Sequence, residues 1–511
     1  MEPGVLDACT APMAMDPSAS STNTAERARP HVVLVASPGA GHLIPMAELA
    51  RRLVAHHGLA ATLVTFPDLS GAPSAAANSS VLSSLGAAGV STATLPAVPL
   101  DDLPADARLE TVLLELIGRS VPHLRSLLRD AAPLLAALVA DFFCSALLPL
   151  AAEVGVPGYL FFPINLTTLS VMRTAVELND DGAAAAPVSE LRGLPDVLRL
   201  PSGVSLRHDD YGDGFRNSEE PVYKHLVEEG RRYRAADGFL VNTFHEIEPA
   251  GNVDESIKQV VEKQGAFPPA YPVGPLVRPS SGEDDVSSSA CLEWLDRQPA
   301  GSVVYVSFGS AGALSVEQTA ELAAGLEDSG HRFLWVVRMP SLDGAKTNFA
   351  AMDDKDDPLA WLPEGFLERT SGRGLAVAAW APQVRALSHP ATAAFVSHCG
   401  WNSALESVTH GVPMLAWPLY AEQRTNAAVL SENVGVALRL RPRADGLVGR
   451  EEIAAAVREV MDGEEKGRAV RRRAGDLRRA AARACAPGGS SWRMLEEVAG
   501  KWKAAAARRR C

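Results

Sequence analysis

The chain has little cysteine for its length: six in 511 residues, at positions 9, 144, 291, 399, 485 and 511. None is spaced as a Cys-x-x-Cys pair or a zinc knuckle, and so few cannot staple so long a chain. A reducing compartment, the cytoplasm, is therefore expected. Long apolar runs are missing too. No stretch of about eighteen strongly apolar residues occurs, so no membrane insertion is expected. The first 29 residues hold no apolar core ahead of a cleavage site, and they read as a flexible extension. Positive charge is the minority, with 48 Lys and Arg against 61 Asp and Glu, a net charge of -13. A nucleic-acid binder needs a basic stripe to displace counterions, so no nucleic-acid partner is expected. The one basic concentration, Arg468 to Arg483, is laced with alanine and reads as a solvated helix face; Arg508, Arg509 and Arg510 read as a frayed tail. No Cys, His or Asp cluster has metal-ligand spacing, and no metal is expected.

What is present is a folded chain. Hydrophobic residues make up 47% and charged ones 21%, and the length exceeds one ordinary domain. Strand candidates in the first half are His31 to Ser37, Ala60 to Phe66, Ala137 to Ala140 and Val156 to Phe162. They are almost continuously apolar, as parallel strands covered on both faces are. A helix is expected from Pro45, since proline is tolerated in a first turn. The pattern weakens between Thr168 and Phe239. A polar, acidic stretch from Pro279 to Ala290 marks the best boundary. Beyond it, Ser302 to Phe308, Arg332 to Val337, Leu375 to Ala379, Ala394 to Ser397 and Pro413 to Trp417 alternate with helical stretches. A polar insertion, Ser341 to Asp357, interrupts them, and its clustered acids read as loop. Helices are expected over Arg450 to Met461, Gly467 to Cys485 and Ser491 to Lys501. The fold class is α/β, with two facing doubly wound domains at 30–272 and 291–485 and a linker at 273–290. A C-terminal helix and basic tail, 486–511, should pack back toward the first domain. Ligands belong in the cleft between the domains.

Several turns could carry chemistry. Ser397-His398-Cys399-Gly400 follows a strand, and Asn402 or Ser403 can begin a helix. A strand, a tight turn and a helix N-terminus favour an anion, with His398 as an added donor. Ser403 and Glu406 have capping-box spacing, which competes with a ligand role for Glu406. Phe308-Gly309-Ser310 closes another strand, and Ser310 offers a hydroxyl and an N–H. Trp380 is a flat surface at a strand end, and Glu422-Gln423 stand before a helix. In the first half, Gly39-Ala40-Gly41-His42 joins a strand to a helix, whose positive end should depress the pKa of His42 and keep it a neutral base. The turn lacks the third glycine of a dinucleotide fingerprint, and the nearby acid, Asp68, is a weak match. Asp141 ends a strand; it can orient His42, cap the helix near Ser145, or do both.

The 44 residues from Trp380 to Gln423 resemble, over their full length, the signature box of plant secondary-product UDP-glycosyltransferases, family 1. The likeness extends from about His31 to Lys501, and GAGHLIPMA at Gly39 to Ala47 is similar to the hydroquinone glucosyltransferase, or arbutin synthase, branch. The resemblance implies a GT-B fold. It implies that Trp380 stacks on uracil, with Ala381 and Gln383 at the base edge and Glu406 on the ribose. It places His398, Asn402, Ser403 and Ser310 on the diphosphate and Glu422 and Gln423 on the hexose, with Gly41, Trp401 and Tyr420 also at the donor. His42 would be the base and Asp141 its partner. The expected reaction is metal-free, inverting transfer of glucose from UDP-glucose to a small phenol. Alternatives are transfer to an arylamine, another UDP-hexose, and an inactive UDP-sugar-binding protein. Phe142, Phe143, Phe161 and Phe162, with Glu110 and Leu166, are acceptor-pocket candidates, although each phenylalanine could equally be core. A monomer acting on small molecules is expected.

Overall fold

A strand that is apolar on both faces needs cover on both, and β1 (His31–Val35) shows how the need is met. Val32 and Leu34 pack with Leu43, Met46 and Leu49 of the helix Ala40–His56; Val33 and Val35 pack into the opposite core with Leu138 and Ala140. The computed structural model describes residues 29–67, 72–104, 109–180, 187, 190–248, 267–278, 286–342, 357–378 and 380–510. The expected extension through residue 28, Asp68, the linker residues 279–285 and the acids at 353–356 lie outside the described residues.

The strands are β1, β2 (Ala60–Thr65), β3 (Ser91–Thr94), β4 (Leu135–Asp141), β5 (Gly158–Phe162), β6 (Val197–Arg199), β7 (Ser205–Arg207), β8 (Gly238–Val241), β9 (Ala270–Pro272), β10 (Val303–Ser307), β11 (Arg332–Val337), β12 (Gly374–Ala378), β13 (Thr392–Ser397), β14 (Met414–Ala416) and β15 (Ala437–Arg439). One sheet has the order β3-β2-β1-β4-β5-β8-β9 and another β12-β11-β10-β13-β14-β15; β6 and β7 form a separate antiparallel hairpin. Every pairing in the two larger sheets is parallel. Each sheet therefore has one place where the winding reverses, between β1 and β4 and between β10 and β13. Chain segments leaving those neighbouring strands diverge to opposite faces and leave a crevice.

The first helix begins at Ala40 rather than near Pro45, so the proline lies inside it. A proline there has no N–H for the carbonyl four residues back, which is that of Gly41. The weak stretch after Thr168 holds the helices Leu166–Asp180 and Pro221–Arg232 as well as the hairpin. The chain's end is not frayed. The helix Ser490–Arg510 lies against β4 and β9, and the Arg509 guanidinium donates to the carbonyls of Val154, Gly155 and Leu135. The basic stretch is only partly a solvated face: Arg471 clamps the carbonyls of Val460 and Met461, and Arg473 those of Val434 and Glu246. Among the described residues no helix is long and apolar enough to cross a membrane.

Trp502 anchors the last helix. It is fully buried and meets the Tyr159 ring edge-on at 5.2 Å. Replacing it with alanine deletes a large core side chain, so Trp502→Ala should cost about 3–5 kcal/mol in the urea unfolding of the first domain. A loss below about 1 kcal/mol would show that this helix is not part of that domain's core.

Candidate active site

Asp141 ends β4, has no solvent exposure, and sits beside the end of β1. A buried carboxylate must be met by donors. Its Oδ1 accepts from Ser37 Oγ at 2.8 Å and from Phe143 N at 3.2 Å; its Oδ2 meets His42 Nδ1 at 2.9 Å. It thus caps the short helix Phe142–Leu147 and holds the histidine at once. A carboxylate only accepts, so Nδ1 carries a proton, and in the neutral ring Nε2 is left bare as an acceptor. Phe142 and Phe143 flank the imidazole, with ring centroids 5.7 and 5.4 Å away.

The charge of His42 differs from the sequence expectation. Burial is the largest single influence and lowers its pKa. The charge and hydrogen bond of Asp141, with the carboxylate of Glu422, outweigh it, and the imidazole ends above its ordinary 6.5. A full charge in hydrogen-bond contact prevails over the partial charge of a helix end.

The other wall is built at the second reversal point. The helix Trp401–His410 begins after Gly400, and no side chain caps it. Its first N–H groups are therefore open to a ligand, in the geometry that favours anions. His398 is buried between two glycines: a Cβ on Gly309 or Gly400 would lie 2.7 or 2.5 Å from its Nε2. Both positions need glycine for that reason. Burial pushes the imidazole down to about 4, so it is neutral, and its Nδ1 is sealed off without a partner. The proposed capping box does not form. Ser403 Oγ and Glu406 Oε2 instead accept from Gln383 Nε2 at 2.8 and 2.6 Å. Two non-glycine residues beside this wall have positive φ, Cys399 at 65° and Ala421 at 53°. Such strain costs on the order of 1–3 kcal/mol each and persists only where neighbours enforce it.

A cavity of about 380 Å³ lies between the walls. Gly41, His42, Phe142 and Phe143 line it from the first domain; Ser310, Trp380, Ala381, Gln383, His398, Trp401, Asn402, Ser403, Glu406, Tyr420, Glu422 and Gln423 line it from the second. Trp380, one of these lining residues, is 45% exposed, a large exposure for an indole. Gln423 uses its Oε1 to accept from the backbone N of Leu419 and Tyr420, and its side chain also hydrogen-bonds the Tyr420 hydroxyl. Burial lifts Tyr420 to about 12, so its hydroxyl keeps a proton to donate. Burial also raises Glu422 above the usual carboxylate range, against the lowering effects of a backbone N–H, Asn426 and His42.

Some candidates stand elsewhere. Phe161 is fully buried on the far face of the first sheet, and Phe162 packs behind Phe142 at 5.1 Å; neither reaches the cavity. Leu166 is core. Glu110 stands in the helix Leu109–Ala131, with its side chain outside the described residues. Trp401 touches the cavity but commits its indole N–H to Asn242 O across the domain boundary, at 2.7 Å. Asn402 donates to Gly41 O at 2.9 Å, the carbonyl that Pro45 leaves without its helical donor. Sequence reasoning missed Ser37, Asn242, Asn426 and the cavity-lining Arg278; a lone serine, asparagine or arginine carries no pattern that distinguishes it.

Two doubly wound domains facing across such a cleft make the GT-B architecture. The family described as UDP-glucoronosyl and UDP-glucosyl transferase matches residues 284–472. The hydroquinone glucosyltransferase of Rauvolfia serpentina is 44% identical over 476 residues, covering 93% of this chain and 98% of that one. UDP-glycosyltransferase 72B1 of Arabidopsis thaliana is also 44% identical, covering 94% and 97%. Among solved structures, Phytolacca americana UGT2 complexed with UDP-2fluoro-glucose and pterostilbene aligns with a TM-score of 0.79 at 38% identity, over 93% of this chain and 99% of that one. A Polygonum tinctorium UDP-glucosyltransferase capable of glucosylating indoxyl, in complex with 3,4-dichloroaniline, gives 0.79 at 41%, with the same coverage. The chain belongs to the plant family 1 UDP-glycosyltransferases. It is a UDP-dependent glycosyltransferase with a UDP-sugar donor and a small-molecule acceptor.

The electrostatics of His42 can be read directly. In protein labelled at histidine carbons, its NMR titration should fall above pH 6.5, so that it charges as the pH drops through the raised value. Asp141→Asn removes both raising effects of that residue and leaves burial in place, so the midpoint should move down. An unmoved midpoint would mean that Asp141 does not set the charge of this ring.

Proposed function

We propose that the enzyme transfers glucose from UDP-glucose to the hydroxyl of a small phenolic acceptor, with inversion, to give a β-O-glucoside in the cytoplasm. One observation carries the reading: a histidine whose Nδ1 is tied to a fully buried carboxylate, with its other nitrogen in a cleft between an aromatic pair and the Glu422-Gln423 turn. His42 Nε2 takes the acceptor proton as that oxygen bonds to the anomeric carbon. The bond from that carbon to the diphosphate breaks, and UDP leaves with the electron pair. Asp141 stabilises the imidazolium formed. Trp380 carries the uracil on its open face, and Glu406, steadied by Gln383, takes the ribose diol. Charge growing on UDP meets Ser310, neutral His398 and the open N–H groups of the Trp401–His410 helix. Phe142 and Phe143 hold the acceptor ring.

A second reading has support from a relative. The Polygonum tinctorium enzyme is seen with 3,4-dichloroaniline, and the same pocket would take an arylamine here. An amine nitrogen attacks before it loses its proton and depends less on a base.

His42→Ala separates these readings from that of an inactive binding protein. Turnover of an aliphatic alcohol should fall about 10²–10⁴-fold, the usual contribution of a general base. A phenol, with a pKa of about 10, should lose less at high pH. Calorimetric UDP affinity should persist. Normal UDP binding with unmutated turnover of the alcohol would remove His42 from the chemistry. No activity in the unmutated enzyme with any phenol, alcohol or arylamine would favour a binding protein.

The diphosphate charge is assigned to protein groups alone, so turnover should survive thorough EDTA treatment. Complete loss on chelation, restored by magnesium or manganese ions, would overturn that assignment.

A further inference from the structure

The donor turn is tied to the acceptor domain through two asparagines that line no part of the cavity. Asn426, on the helix Gln423–Ala428, and Asn165, before the helix Leu166–Asp180, are both fully buried. Asn165 Oδ1 accepts from Thr168 N at 2.8 Å, and its Nδ2 donates to Asn426 Oδ1 at 2.7 Å. Asn426 Nδ2 then donates to Cys399 O at 3.0 Å and to Glu422 Oε1 at 3.1 Å.

The direction of this chain of amides is determined. A backbone N–H only donates, so the group of Asn165 facing Thr168 is its oxygen, and its nitrogen turns to Asn426. Asn426 must then present oxygen to Asn165 and nitrogen to Cys399 and Glu422. Both its N–H groups and its oxygen are occupied, which leaves the side chain a single rotamer. One of those N–H groups holds the carbonyl of Cys399, a residue at positive φ, and the other holds the carboxylate of Glu422.

We infer that Asn165 and Asn426 are positioning residues for the donor hexose, holding the Glu422 carboxylate in its sugar-reading position when the two domains stand together. The inference rests on the reading of Glu422 as a contact to the hexose. Asn165 belongs to one domain and Asn426 to the other, so their bond forms only across the docked interface. Parting the domains leaves the Asn426 oxygen without the donor that fixes which way its amide faces, and so loosens its hold on Glu422.

The test is a double-mutant cycle between Asn165 and Glu422. Asn165→Ser keeps a hydroxyl to cap the helix but loses the amide. Asn165→Asp keeps the capping oxygen and turns a second oxygen toward Asn426 Oδ1. UDP-glucose kinetics are measured above the titration of His42, beside calorimetric UDP affinity and the unfolding temperature. Each Asn165 variant should lower kcat/KM for UDP-glucose about tenfold, the effect of one lost buried hydrogen bond, while UDP affinity stays within about twofold. In a Glu422→Ala background the same Asn165 substitutions should have no further effect. Multiplying effects, unchanged kinetics in both Asn165 variants, or an equal loss of UDP affinity would overturn the relay while leaving Glu422 at the sugar. Unmutated kinetics in Glu422→Ala alone would instead remove Glu422 from the hexose site, and the relay with it.

Discussion

A carboxylate with no solvent exposure, at the end of a central strand, obliges its surroundings to supply hydrogen-bond donors. Around Asp141 they come from the end of β1 in Ser37, from the turn that follows β4 in Phe143, and from the first helix in His42. Those three sources are what the reversal of winding between β1 and β4 brings together. The carboxylate thereby locks the register of one strand end against the other and the orientation of the ring above them. The base and the fold share one anchor, and changes at Asp141 act on both.

The facing domain repeats the topology with opposite electrostatics. There the crevice between β10 and β13 offers uncapped N–H groups and a neutral histidine wedged between two glycines. The bonds that join the halves run through the same residues that line the cleft or lie just behind it. Asn402 takes the carbonyl that Pro45 leaves without its helical donor, and Trp401 reaches Asn242. Arg424 pairs with Asp213, and Arg439 with Asp210, at the hairpin end. Binding wall and interface are thus one surface, so a substitution meant to alter ligand contact also alters how the domains sit.

Much of this was legible in the sequence, for reasons particular residues make plain. The parallel strands announced themselves because β1, β4 and β10 are buried on both faces, so their apolar runs had no polar gaps. The edge strand β3, Ser-Thr-Ala-Thr and largely exposed, left no such trace, and the three-residue strands β9 and β15 were too short to show one. Pro45 reads as a first-turn proline in sequence; the chain tolerates it in the second turn because Gly41 O finds a donor in the other domain. At His42 the helix end predicts a lowered pKa and the structure gives a raised one, since a helix end is visible in sequence whereas the distance to Asp141 is not. Phe161 and Phe162 alternate across the sheet, and a run of two phenylalanines does not reveal which face opens to a cavity. Asn426 resembles any other helical asparagine until its three polar partners, Asn165, Cys399 and Glu422, are seen.

The return of the chain has a mechanical consequence. It passes between the domains twice, once after β9 and again where the helices Lys466–Cys485 and Ser490–Arg510 carry it back onto the first sheet. A body tethered at a single point can swivel about any direction. Two covalent crossings hold the domains against one another more tightly than one would, because each removes freedom the other leaves. Arg52 of the first domain bridges the two crossings, its guanidinium donating to Pro275 O just after β9 and to Cys485 Sγ of the returning helix, so both are fixed at one place on the domain they leave and rejoin.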